Sequence, residues 1–153
     1  MKRITSFSVD HDYITPGLYL SRIDGDVVTY DLRTRTPNGG DYMDNSTMHS
    51  VEHMMATHLR NSAYADKILY FGPMGCQTGF YLLVRSMTDS EVLSLLKRVL
   101  AEILCYDGAV YGASRKECGN YRNLDLAAAK KECRRYLDVL NEKTEGDLRY
   151  ATE

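Results

Sequence analysis

Residues 18–35, LYLSRIDGDVVTYDLRTR, decide the fold class more than any other stretch of this chain. Two runs with a strand-like pattern, 18–23 and 27–35, flank the dipeptide Asp24-Gly25, and the second is rich in β-branched residues. An Asp-Gly pair favours a tight hairpin turn, because both residues tolerate the positive φ that such turns require. The stretch therefore predicts two strands that pair antiparallel.

The rest of the chain alternates between strand and helix patterns. Strands are predicted over residues 67–71 and 80–85, and helices from Asn45 or Ser46 to about residue 61, after the capping box Thr88-Asp89-Ser90-Glu91, and over residues 124–140. We predict a single α+β domain over residues 1–153, with a mostly antiparallel sheet and the helices packed on one face. The polar residues from Glu142 onward are predicted to be frayed.

Composition narrows the functional classes. A net charge of −2 over 153 residues gives no reason to expect a nucleic acid or an anionic membrane as partner. The polar start of the chain lacks the apolar block of a signal peptide, and no apolar run is long enough to span a bilayer. The four cysteines lack the dense spacing of a disulfide scaffold, so we expect free thiols and a cytoplasmic location.

The predicted helix at residues 45–61 contains His49-Ser50-Val51-Glu52-His53. Residues four apart share one face of a helix, so the two imidazoles can bind one transition-metal ion, with Glu52 beside them as a proton carrier. The apolar stripe of the same helix places this motif at the edge of the core; its members are Met48, Val51, Met55 and Leu59. The alternative is a pair of half-exposed histidines and a surface carboxylate.

A third ligand is required, and Cys118 is the leading candidate. It lies in a predicted loop before Gly119, which would let the backbone turn sharply to present the thiolate. A site of two histidines and one cysteine with an open position suits zinc or ferrous iron, and the open position indicates catalysis. The alternative for Cys118 is an idle loop thiol.

Cys76 lies between two predicted strands and is flanked by Gly75 and Gly79, a context that favours an accessible thiol over a packed one. The alternative for Cys76 is a small buried residue at the corner between the strands. Cys105 and Cys133 fall on apolar helix faces, and we expect both to be buried in the core. A thiol and a carboxylate near a Lewis acid suit the movement of protons on carbon next to a carbonyl.

Over nearly its whole length, the sequence resembles the S-ribosylhomocysteine lyase (LuxS) family. The motif at residues 49–53 matches the family's metal helix, and residues 73–81, PMGCQTGFY, match its catalytic-cysteine segment almost letter for letter. Shorter matches occur at Ser6-Phe7, Asp10-His11, residues 30–33, Arg60-Asn61 and Cys118-Gly119.

The resemblance implies a homodimer with two active sites at the subunit interface and one Fe²⁺ per subunit, replaceable by Zn²⁺ or Co²⁺. The implied reaction converts S-ribosylhomocysteine to homocysteine and 4,5-dihydroxy-2,3-pentanedione by carbonyl migration and β-elimination. The second product is the precursor of autoinducer-2. The implied setting is therefore quorum sensing together with the activated methyl cycle of methionine metabolism.

The resemblance also implies roles for eight residues. Cys76 and Glu52 form the acid/base pair, and the metal ligands are His49, His53 and Cys118. The residues implied to bind substrate are Ser6, His11 and Arg33, of which Arg33 also stabilises the Cys76 thiolate. From the strand pattern alone, Arg33 would be an outward-facing charge, since Asp31 and Arg35 share its face.

The sequence departs from the family pattern at Tyr70 and Gly72, where the family often has Asp and Ser, which leaves recognition of the homocysteine end open. Two other functions stay open. A small H-x-x-E-H metallopeptidase would use a downstream glutamate as third ligand, here Glu132. A non-catalytic metal-binding module would not need Glu52.

Overall fold

The computed structural model describes residues 1–151, and it contains the predicted hairpin. Strand β1 spans Gly17–Asp24 and strand β2 spans Val27–Arg33, paired antiparallel with Asp24 opposite Val27. Gly25 adopts a φ of 62°, the left-handed conformation that the Asp-Gly turn was expected to need. Strand β2 ends at Arg33, earlier than predicted, because the N–H groups of Thr34 and Arg35 both donate to Thr78 O.

The sheet has four antiparallel strands. Strand β3 covers Ile68–Pro73 and strand β4 covers Gly79–Arg85, and the order across the sheet is β1-β2-β4-β3. Because side chains alternate along a strand, β2 presents Tyr30 and Leu32 to one face and Asp31 and Arg33 to the other. The second face is called the outer face below.

Three helices cover the inner face, and each begins at a side chain that accepts a hydrogen bond from the first turn. Helix α1 spans Asn45–Arg60, α2 spans Asp89–Cys105, and α3 spans Leu126–Asn141; the respective caps are Asp44, Thr88 and Asp125. Thr88 and Glu91 form the predicted capping box. The α+β fold class is therefore confirmed.

A single apolar core lies between the helices and the inner face of the sheet. Helix α1 contributes its predicted stripe, in which Met55 and Leu59 are fully buried, and the sheet contributes residues such as Tyr30 and Leu82. No helix within residues 1–151 combines the length and hydropathy needed to cross a bilayer. The predicted single domain over 1–153 extends two residues beyond the described part of the chain.

Two sequence-based expectations were wrong. Cys105 is exposed, because it is the last residue of α2 and lies past the point where the helix faces the core. The tail after Glu142 is attached to the sheet: Leu148 is fully buried and its carbonyl accepts a hydrogen bond from Leu20 N at 3.0 Å. One apolar side chain with a buried site outweighs the polar composition around it.

Candidate functional site

The side chains of His49, His53 and Cys118 come together at the edge of α1. Their ligand atoms all lie within 4.8 Å of one another, and Cys118 Sγ lies 3.3 Å from His49 Nε2. The two imidazole rings are perpendicular, with centroids 4.6 Å apart. Two imidazole nitrogens and one thiolate sulfur that converge on one point make a donor set that suits a tetrahedral divalent metal.

Each imidazole is oriented by a hydrogen bond at its other nitrogen. His49 Nδ1 lies 2.5 Å from Asn123 Oδ1, and His53 Nδ1 lies 2.7 Å from the backbone oxygen of Tyr111. Because both partners are oxygen acceptors, each Nδ1 carries the proton, which leaves the Nε2 lone pair free to bind a metal. Sequence reasoning missed both partners, and nothing in the local pattern signals a backbone carbonyl 58 residues away.

The first turn of α1 holds Asn123 in place. Ser46 Oγ donates to Asn123 O, and the Asn123 amide donates to Asn45 Oδ1, both at 2.5 Å. One turn further along, the fully buried Ser50 Oγ accepts a hydrogen bond from Asp125 N at 2.8 Å. Ser50 therefore connects the metal helix to the start of α3.

In the loop that carries Cys118, Gly119 lies in a turn next to the cysteine, as expected, but its φ is not positive. The glycine with positive φ in this loop is Gly112, at 68°. A Cβ atom on Gly112 would lie 3.2 Å from His53 Nδ1, so a side chain there would crowd the ring. The glycine thus lets the loop pass close enough for Tyr111 O to orient His53.

Glu52 lines an open depression of about 240 Å³ beside the cluster, together with Asn45, Met48, His49, Pro73 and Asn120. Within residues 1–151, no group hydrogen-bonds or ion-pairs with its carboxylate, which is half-buried. A carboxylate in this position is free to exchange protons with a molecule bound in the depression.

Cys76 is exposed, as its glycine-flanked context predicts, in the turn between β3 and β4. Gln77 holds this turn with a φ of 65°, a left-handed conformation for a non-glycine residue. Two hydrogen bonds fix it to Met43, which precedes the Asp44 cap of α1: Met43 N donates to Gln77 O at 3.0 Å, and Gln77 Nε2 donates to Met43 O at 2.8 Å.

Arg33 lies behind the Cys76 thiol. It points to the outer face, as the strand pattern predicts, but it is buried, so the interpretation as an exposed surface charge was wrong. Its Nη1 is 2.8 Å from Thr78 Oγ1 and 3.9 Å from Cys76 Sγ. Its other nitrogens bond both carboxylate oxygens of Asp31, at 3.1 and 2.7 Å, and the two residues are only 2% and 1% exposed. Burial alone would lower the pKa of Arg33, but its hydrogen bonds and ion pair with Asp31 raise it.

The other two residues expected to bind substrate lie in different places. His11 lines a depression of about 130 Å³ together with Cys76, and its Nδ1 is 2.9 Å from Val9 O. Ser6 lines a depression of about 280 Å³ on the outer face with Tyr70 and Tyr81. The depression that Ser6 lines is therefore separate from the two that Cys76 and Glu52 line.

Glu132, the third ligand required by the metallopeptidase alternative, is engaged elsewhere. Its carboxylate is buried and forms a two-pronged ion pair with Arg35, with Nε to Oε1 at 2.9 Å and Nη2 to Oε2 at 2.6 Å. Both oxygens are therefore occupied, and Glu132 is not part of the metal cluster. The structure offers no support for the peptidase.

Comparison with known proteins agrees with this geometry. The family model for S-ribosylhomocysteinase (LuxS) matches residues 4–146. The chain belongs to the S-ribosylhomocysteinase (LuxS) family. Proteins named S-ribosylhomocysteine lyase from Borreliella afzelii and Clostridium beijerinckii are 44% and 43% identical to it, over 98% of this chain and 99% of each relative. The one from Desulfotalea psychrophila is 41% identical over the same shares.

Tyr70 and Gly72, the two positions at which the sequence is expected to depart from the LuxS pattern, are coupled in space. Tyr70 and Gly72 lie on the same face of β3, and the Tyr70 hydroxyl occupies the position that a Cβ atom on Gly72 would take. The tyrosine ring can lie over the strand only because residue 72 has no side chain. The two differences are therefore one structural change in the wall of the depression that Ser6 lines.

Proposed function

We propose that this LuxS-family chain cleaves S-ribosylhomocysteine to homocysteine and 4,5-dihydroxy-2,3-pentanedione at a metal site held by His49, His53 and Cys118. The observation that carries the proposal is the convergence of the three ligand atoms within 4.8 Å, with both imidazoles presenting Nε2. The chain is a carbon–sulfur lyase, the class named in its relatives.

The resident ion is Fe²⁺, one per subunit, with Zn²⁺ or Co²⁺ as substitutes. A donor set of two neutral nitrogens and one thiolate accepts any of these ions, and three protein ligands leave a coordination position for substrate. When bound, the ion supplies Lewis acidity that polarises the carbonyl of the open-chain sugar.

Cys76 and Glu52 move the protons. Each enolisation takes one proton from a carbon next to the carbonyl and returns another to the neighbouring carbon, so the carbonyl migrates along the chain. In the last step, loss of a proton next to the new carbonyl is coupled to cleavage of the C–S bond, and the sulfur leaves as homocysteine. A thiol beside Arg33 and a carboxylate with no partner within residues 1–151 suit these transfers.

His11, Arg33 and Ser6 position the substrate. His11 faces the Cys76 depression, where its ring can bond sugar hydroxyls, and Arg33 binds substrate there while its Nη1 faces the Cys76 thiol. Ser6 requires a second copy of the chain, because its own depression is separate from those of Cys76 and Glu52.

The chain accordingly acts as a homodimer with its active sites at the subunit interface. Large apolar side chains near Ser6 and on the outer face support this: Ile4, Phe7 and Tyr70 are 55%, 63% and 51% exposed. In the cytoplasm, where thiols stay reduced, the reaction recycles homocysteine and yields the autoinducer-2 precursor. The free state of all four cysteines fits such a compartment.

The test is release of free homocysteine thiol from S-ribosylhomocysteine by anaerobic protein loaded with Fe²⁺ or Co²⁺. We expect release by the wild type and none by Cys76→Ala with unchanged metal content. A metal-loaded, folded wild type without thiol release would contradict the proposal.

The dimer is tested by mixing two inactive variants, Ser6→Ala and Cys76→Ala, after reversible dissociation. If Ser6 and Cys76 of one site come from different subunits, one of the two sites in a mixed dimer contains both wild-type residues. Activity should then return at that site. No recovery in a mixture shown to exchange subunits would contradict the shared site.

A further inference from the structure

Tyr150, near the C-terminal end of the sequence, lies beyond the part of the chain that the family model matches, yet it reaches the outer face of the sheet next to the Cys76 centre. Its hydroxyl donates a 2.8 Å hydrogen bond to Asp31 Oδ2. Its ring stacks on Tyr19, with centroids 4.8 Å apart and the planes 18° from parallel. Tyr19 lies opposite Asp31 in the ladder between β1 and β2.

A continuous chain of contacts leads from Tyr150 to the thiol. Asp31 receives the Tyr150 hydroxyl and both prongs of Arg33, so its two carboxylate oxygens accept three hydrogen bonds. The remaining Arg33 nitrogen, Nη1, faces Thr78 Oγ1 and Cys76 Sγ. Thr78 Oγ1 in turn lies 3.1 Å from Cys76 Sγ.

We propose that Tyr150 and Asp31 are positioning residues for the lyase reaction, and that they hold the Arg33 guanidinium against the Cys76 thiol. This deepens the proposed function and rests on it. The Nη1–Sγ distance of 3.9 Å is at the long limit for a hydrogen bond to sulfur, so a small displacement of the guanidinium removes the contact.

The Tyr150 hydroxyl is a dependable donor. Burial and the neighbouring Asp31 carboxylate raise its pKa, so it stays protonated throughout the range in which the enzyme works. A donor at Oδ2 also spreads the charge of Asp31, which then neutralises less of the Arg33 field at the thiol. Loss of the hydroxyl is therefore expected to loosen Arg33 and to lower the reactivity of the Cys76 thiol.

The contacts that attach the tail to the sheet do not require the Tyr150 hydroxyl. Leu148 is buried and bonded to Leu20, and Arg149 Nη1 lies 3.3 Å from Asp89 Oδ2. Together with the stack on Tyr19, these contacts hold the tail when residue 150 is phenylalanine. The phenolic oxygen is thus free to serve the ion pair below it.

The test compares Tyr150→Phe with Tyr30→Phe in the full-length, metal-loaded protein. Tyr30 is the matched control, because its hydroxyl also donates to a carboxylate, Asp89 at 2.5 Å, without touching Arg33. The first readout is the rate at which iodoacetamide alkylates Cys76, measured by mass spectrometry relative to the exposed thiol of Cys105. The second readout is the split between kcat and KM for thiol release.

For Tyr150→Phe we expect the Cys76:Cys105 alkylation ratio and kcat to fall by about threefold to tenfold, the equivalent of one hydrogen bond, with KM within about twofold of wild type. Tyr30→Phe should leave both unchanged, although it also loses a hydroxyl–carboxylate bond. Equal behaviour of the two variants would overturn the proposal.

A double-mutant cycle removes the remaining ambiguity. If Tyr150 acts through Asp31, the alkylation effect of Tyr150→Phe disappears in an Asp31→Asn background; an effect of the same size in both backgrounds overturns the proposal. Alkylation needs no substrate, so this arm gives its answer even if the chain releases no homocysteine, and failure of the proposed reaction is distinguished from failure of the positioning role.

Discussion

The metal cluster and the Cys76 centre both hold reactive side chains in place, but neutral partners do so at the first site and charged partners at the second. At the metal cluster, neutral oxygen atoms of Asn123 and Tyr111 orient the imidazoles. At the Cys76 centre, a buried ion pair between Asp31 and Arg33 lies behind the thiol. The metal cluster lies on the side of α1 and uses dipoles, whereas the Cys76 centre lies at the end of β2 and uses full charges.

The difference fits the roles proposed for the two sites. A metal-binding imidazole has to be neutral, and an amide or backbone oxygen fixes its tautomer without adding charge. A thiolate needs a nearby cation, and a buried cation in turn needs its own carboxylate to offset desolvation. Burial of the neutral partners costs little free energy, whereas removal of one partner from the buried ion pair is strongly destabilising.

The largest expected effect is complete loss of the metal ion while the Cys76 centre stays intact. Cys118→Ala should lower metal content from about one ion per chain to almost none, because two imidazoles alone bind weakly. Glu132→Ala should keep the metal and lose only stability, since its partner is Arg35. Metal analysis after dialysis checks both variants, and metal loss in Glu132→Ala would revive the peptidase alternative.

Breaking the charged region should cost the most stability. Asp31→Ala leaves Arg33 buried without a counter-charge, and we expect the free energy of unfolding to fall by about 3–5 kcal/mol. Urea denaturation checks this value. A loss below about 1 kcal/mol would mean that Arg33 reaches solvent when Asp31 is removed, and that the pair is not an obligatory one.

Breaking the neutral region should affect function and spare stability. Asn123→Ala removes the acceptor at His49 Nδ1, so we expect metal affinity to fall by about 10–100-fold with a change in unfolding free energy of the metal-free protein of about 1 kcal/mol or less. Competition with a chelator gives the affinity. Unchanged affinity would show that α1 and the bound ion suffice to orient the ring.

Cys133, a buried thiol without a cation beside it, can be compared with Cys76, whose thiol lies beside Arg33. Burial raises the pKa of Cys133 to about 12, well above the usual pKa of a thiol, so the folded state keeps a proton that the unfolded state loses. Its contribution to stability is therefore complete below about pH 9 and decreases above it, by about 1.4 kcal/mol per pH unit. The decrease should be smaller in Cys133→Ala than in Cys105→Ala, measured by urea unfolding between about pH 8 and pH 11.

Much of the fold could be predicted from local patterns. The Asp24-Gly25 turn, the stripe on α1 and the Thr88–Glu91 capping box each depend on residues close in sequence, and each is found where predicted. The expectation of a frayed tail failed because the burial of Leu148 depends on a distant strand. Cys105 was misplaced because a helical wheel does not show where the core ends.

The sequence by itself determined the chemistry of this protein: the imidazole pair with Glu52, the glycine-flanked Cys76, and membership of one enzyme family all follow from the order of residues along short segments. Only the tertiary structure decided which partners those groups have. In the folded chain Cys118 lies 3.3 Å from His49, Glu132 forms an ion pair with Arg35, and Arg33 is buried between Asp31 and the Cys76 thiol. Local spacing fixes which side chains share a face, whereas desolvation and charge pairing are properties of the assembled core and cannot be assigned before it forms.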